Sequence, residues 1–68
     1  MIPLQFEYIE RCTYIEYKNF VTILGEHKHR YTGKNFFRIR EEYDHGGIQE
    51  YMVSEETMKQ MLSKRVEE

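Results

Sequence analysis

Leu4, Phe6 and Tyr8 alternate with Gln5 and Glu7 near the start of the chain. Successive side chains of a strand point to opposite faces, so this pattern predicts a half-buried strand over residues 4–9. The apolar phase shifts at Glu10-Arg11, which reads as a turn or bulge, and residues 12–17 continue as strand with Tyr14, Ile15 and Tyr17. Leu4, Tyr8, Cys12 and Ile15 also fit a helical spacing. The β-branched and aromatic content of the segment favours strands over that helix.

Phe20-Val21-Thr22-Ile23-Leu24 predicts a buried strand, with Gly25 as a bulge that lets it bend. Residues 26–31 and 36–42 flank Thr32-Gly33-Lys34-Asn35, which reads as a hairpin. Asp44-His45-Gly46-Gly47 is a second turn, leading into a strand over 48–53. Ser54 then suits a helix N-cap, and Glu55 and Glu56 place acids where the helix dipole favours them. Met58, Met61, Leu62 and Val66 recur at helical spacing, with Lys64 and Arg65 expected in the last turn. The expected fold class is α+β: a four- or five-stranded antiparallel meander with one C-terminal helix packed on one face. Sixty-eight residues make one small domain, 1–68.

Charge changes the picture. Residues 27–40 hold five cations, two histidines and no acid; the rest of the chain sets five cations against twelve acids. The window therefore carries +5 and the remainder −7. Segregation of this kind bears on partners more than on fold. Alternation distributes the window between two faces. A hairpin loop of odd length puts Tyr31, Phe37 and Ile39 on the core face with Val21 and Ile23, and His27 and His29 half-buried beside them. Lys28, Arg30, Phe36, Arg38 and Arg40 then share the open face, with Lys34 at the tip. A loop of even length buries charge on both faces, at a cost of several kcal/mol per unpaired ion, so the odd loop is expected. Glu26, Glu42 and Glu50 are the acids placed to neutralise the stripe.

Composition excludes more than it assigns. Apolar residues make up 40% of the chain and aromatics 15%, too many for a disordered segment. The single cysteine, Cys12, rules out an internal disulfide and fits a small core residue. No apolar run is long enough for a membrane helix, and the N-terminus has no basic-then-apolar signal pattern, so a cytoplasmic location is expected. His27-x-His29, with His45 as a third ligand, matches no metal motif, and no cofactor is expected. No spacing supports a catalytic Cys–His pair, so no enzyme is expected.

The leading expectation is a small regulator or inhibitor that binds another protein through charged surfaces, of the type encoded by phages and mobile elements. Its binding residues would be Lys28, Arg30, Lys34, Phe36, Arg38 and Arg40. In the converse arrangement the acidic remainder, including Glu41, Glu42, Asp44, Glu55, Glu56, Glu67 and Glu68, docks on a basic surface such as the groove of a nucleic-acid enzyme. The alternative function is nucleic-acid binding by the cationic face of the 27–40 hairpin, with Phe36 stacking on a base. An unpaired edge strand or the aromatic excess leaves room for a homodimer.

Overall fold

A computed structural model describes residues 3–66. Four strands run in chain order as an antiparallel meander: β1 (Gln5–Cys12), β2 (Ile15–Lys28), β3 (Asn35–Glu42) and β4 (Ile48–Ser54). One helix, α1 (Glu55–Ser63), lies on one face of the sheet. This is the α+β meander with a C-terminal helix, in its four-stranded form.

Residues 4–18 are strand, not helix, but the turn within them is displaced. β1 passes through Glu10-Arg11 without a break, and the chain reverses at Thr13-Tyr14, between the paired Cys12 and Ile15. Thr13 has φ of 31°, a left-handed conformation that two-residue hairpin turns normally give to Gly, Asn or Asp. Sequence carries no signal for a turn made this way. The hairpin tip projects beyond the core, so Cys12 is exposed rather than buried. Of the strands expected over 12–17, 20–24 and 26–31, residues 15–28 form the single strand β2, whereas Cys12 ends β1, residues 13–14 make the turn and residues 29–31 lie in the following loop.

A bulge does interrupt β2. Ile23 pairs with Ile39 and Gly25 with Arg38, leaving Leu24 as the extra residue. Every position beyond it is flipped relative to an uninterrupted strand. The loop to β3 spans six residues, 29–34, an even number, with Gly33 at φ 71°. Tyr43 to Gly47 close the next turn through Tyr43 N–H to Gly47 O, 2.8 Å, and Gly46 N–H to Tyr43 O, 2.9 Å.

The core is one layer between sheet and helix. Phe6, Tyr8, Val21, Phe37, Ile39 and Val53 from the sheet meet Met58 and Met61 from α1, and Ile23, Tyr51 and Leu62 flank them. Burying each large apolar side chain contributes roughly 1.5–3 kcal/mol. Ser54 caps α1, its Oγ accepting from the Thr57 N–H at 3.2 Å. The helix stops at Ser63, so Lys64, Arg65 and Val66 lie outside it. These residues pair instead with the outer edge of β1: Ile9 N–H donates to Lys64 O at 3.1 Å and Val66 N–H to Glu7 O at 2.9 Å. Two further helical residues would have satisfied fewer backbone groups than covering a strand edge does.

Candidate partner-binding groove

The sheet face opposite α1 is uncovered. The register sets its rows: Gln5, Thr22, Arg40 and Glu50 in one; Glu7, Phe20, Glu42 and Ile48 in a second; Gly25, Arg38 and Met52 in a third; His27, Phe36 and Ser54 in a fourth. Where Gly25 faces Arg38 there is no side chain, and the 29–34 loop stands beyond it. The result is a shallow groove of about 730 Å³ lined by His27, Lys28, Arg30, Tyr31, Phe36, Arg38 and Met52, with His29, Glu50 and Tyr51 completing its walls.

Four of the six binding residues expected from sequence meet here: Lys28, Arg30, Phe36 and Arg38. Lys28 does so from the strand end, opposite Asn35, on the helix-side register rather than the open one. Arg30 belongs to the loop, not to a strand. Lys34 lines a second groove with Glu55 and Glu56 at the start of α1, and Arg40 lies one row below the main groove. The expected stripe of four strand cations is therefore reduced to Arg38 and Arg40.

Glu50 holds both. Its carboxylate is 3.4 Å from the Arg38 guanidinium and 4.0 Å from that of Arg40. Among the described residues Glu26 and Glu42 form no ion pair with these cations, and Glu26 pairs across from Phe37, on the other face.

The residues that sequence reasoning missed are His27, His29, Tyr31 and Met52. Tyr31 was expected in the core and is 86% exposed. His27 and His29 are exposed too. His29 Nδ1 accepts from the Tyr31 N–H at 3.3 Å and the Thr32 N–H at 3.2 Å, which fixes the start of the loop. The bulge and the even loop account for His27, His29 and Tyr31; Met52 reaches the groove through its pairing opposite Arg38. The mixed register is tolerated because the flipped charges reach solvent at the hairpin end, where no burial cost applies.

A second polar cluster lies on the covered face. Glu41, expected among the acids of the surface, is only 2% exposed. It accepts from the Tyr8 hydroxyl and, at 2.6 Å, from the Tyr51 hydroxyl. Burial, then the bond to Glu41, pushes both phenols well above their ordinary pKa. Asn19 is buried beside this cluster; its Nδ2 donates to Glu10 at 2.8 Å and its Oδ1 accepts from the Asp44 N–H at 3.3 Å. Among the described residues no buried side-chain polar atom lacks a hydrogen-bond partner. Glu67 and Glu68, the last acids of the charged remainder, lie outside the described residues.

Among the described residues no group of three or more His, Cys, Asp or Glu is placed to hold a metal ion, and no helix is long and apolar enough to cross a membrane. The chain matches no protein-family model, no curated protein and no solved structure with which it was compared.

Proposed function

We propose that this chain is a small, non-enzymatic interaction protein, a regulator or inhibitor, that grips an acidic segment of another protein in the groove between the 29–34 loop and β4. The observation that carries this reading is the lining of the groove: Arg30, Tyr31, Phe36, Arg38 and Met52 together on an uncovered sheet face. Tyr, Phe, Met and Arg are the residue types enriched at the centres of protein interfaces, where a rigid ring or a guanidinium gives contact area at low entropic cost. The excess of cations over the single acid Glu50 sets the sign of the partner.

Nucleic acid is the second reading, favoured by Phe36 lying between His27 and Ser54 on the open face with Arg38 in the next row. Against it, Arg38 and Arg40 share Glu50, and Lys34 stands with Glu55 and Glu56, so fewer charges remain for phosphates.

Affinity capture separates the two. The chain should retain a protein, and Arg30→Glu with Tyr31→Ala, both on an exposed loop and harmless to folding, should lose it. Recovery of nucleic acid alone, with a mobility shift that weakens steeply with salt, would overturn the leading reading.

A further inference from the structure

We propose that two copies of this chain join edge to edge through β4, antiparallel and centred on Glu50, to form one continuous eight-stranded sheet. The two edges of the monomer are treated differently. The outer edge of β1 is covered by residues 64–66, whereas among the described residues β4 pairs only with β3. A free edge is normally protected by Lys, Pro or a bulge. β4 reads Ile48-Gln49-Glu50-Tyr51-Met52-Val53-Ser54 and has none of these. Its one charge, Glu50, is turned back to Arg38 and Arg40. Ile48 and Met52, four residues apart on the open face, are 68% and 53% exposed.

Side-chain matching selects the register and the occupant. Centring the two-fold axis on Glu50 places Met52 of each copy opposite Ile48 of the other. Arg38 pairs with Met52 and Glu42 with Ile48 inside each copy. The joined row therefore runs Arg38, Met52, then Ile48 and Glu42 of the second copy, an apolar pair closed by opposite charges. The two-fold axis repeats it. On the covered face Tyr51 meets Gln49 of the second copy, with no charge opposed. The two Glu50 side chains face each other at the centre, a like-charge pair whose repulsion is offset by the Arg38 and Arg40 of each copy that bridge each carboxylate. Centring on Gln49 or Tyr51 instead sets Glu50 against Ile48 or Met52, leaving a carboxylate opposite an apolar side chain. An isologous pairing that satisfies its own complement is the usual form of a homodimer. The seam shares Met52 and Glu50 with the groove, but Ile48 lies outside the groove's lining, so a change at Ile48 alters the seam and leaves the groove's own residues in place.

Light scattering over roughly 1 µM to 1 mM, the span of weak association, should show a concentration-dependent dimer. Ile48→Lys, a change at an exposed position, should weaken it at least about tenfold by placing a cation against Met52 and near Arg38 of the other copy. Cysteine pairing in a Cys12→Ser background reads the register. Glu50→Cys should oxidise to a disulfide-linked dimer, while Ile48→Cys and Met52→Cys should cross-link with each other when mixed and poorly alone. A monomer throughout the concentration range overturns the proposal. A dimer indifferent to Ile48→Lys, or one that does not cross-link through position 50, overturns it equally. Loss of partner capture by the loop variant of the preceding section, with dimerisation intact, would leave the two readings separately judged.

Discussion

Glu41 and Glu50 sit on neighbouring strands, and each carboxylate bridges two partners, one on each face of the same sheet. Glu41 is enclosed beneath the helix and receives two tyrosine hydroxyls. Glu50 lies on the open face between two arginines, with its side chain 43% exposed. The formal pattern is the same and the energetics are opposite. In the core, desolvation makes the carboxylate costly by itself and makes each hydrogen bond to it strong, so its partners cannot be removed cheaply. On the open face, water competes for every charge, and the bridge contributes little to the fold. The covered carboxylate specifies structure, and the open one sets the charge balance of the uncovered face.

The largest expected effect breaks the buried side of this comparison. Glu41→Ala leaves the Tyr8 and Tyr51 hydroxyls without their acceptor and opens a cavity, and should cost about 3 kcal/mol or more in chemical denaturation. For a chain this short that is a large part of total stability. Glu41→Gln keeps the shape and one acceptor oxygen and should cost about half as much.

Alkaline pH probes the same cluster without a mutation. Tyr8 and Tyr51 have folded pKa values raised above the ordinary 10, chiefly by burial and then by Glu41. A raised folded pKa means that their contribution is complete below pH 10. Above it, the unfolded chain loses these protons first, and stability falls as pH rises. The loss at pH 11 should be about 1 kcal/mol per tyrosine, below the full 1.4 because solvent reaches part of Tyr51. Tyr51→Phe should cost about 1.5 kcal/mol at neutral pH and roughly halve the alkaline slope, measured by denaturant titration at pH 8 to 11. A slope unchanged in this variant would break the assignment of the cluster.

The contrast between the two faces also explains what could be read from sequence. Local signals were sufficient for α1, where Ser54 caps the first turn and Met58 and Met61 share a buried face. They were sufficient for β3, where Phe37 and Ile39 alternate with exposed Arg38 and Arg40. The same alternation places Glu41 on the buried side, but its charge argued for the surface, and only the tyrosines of β1 and β4 make its burial tolerable. Those partners are 33 and 10 residues away. The groove was legible in its residue types and not in its assembly. One extra residue, Leu24, reverses the faces beyond it, bringing His27 to Phe36 and moving Lys28 away from Arg38. The Thr13-Tyr14 turn and the return of residues 64–66 to β1 were hidden for related reasons: one lacks a turn-forming residue, and the other depends on an edge formed at the opposite end of the chain.

The smallest effect tests the open side. Glu50→Gln removes the bridge between Arg38 and Arg40 while keeping the length of the side chain. Exposed ion pairs contribute about 0.2–1 kcal/mol, so stability should fall by less than about 1 kcal/mol, measured at low protein concentration where the monomer dominates. The loss should vanish in roughly 1 M salt, where the screening length shrinks to about 3 Å. The cost of Glu41→Ala should barely change there, because its hydrogen bonds lie out of reach of counterions. Releasing both arginines should also strengthen the groove's attraction for acidic segments at low salt, even as the fold loses a little stability. A Glu50→Gln cost that equalled that of Glu41→Ala, or that persisted in high salt, would mean that the open face is structural, and the division of labour between the two carboxylates would fail.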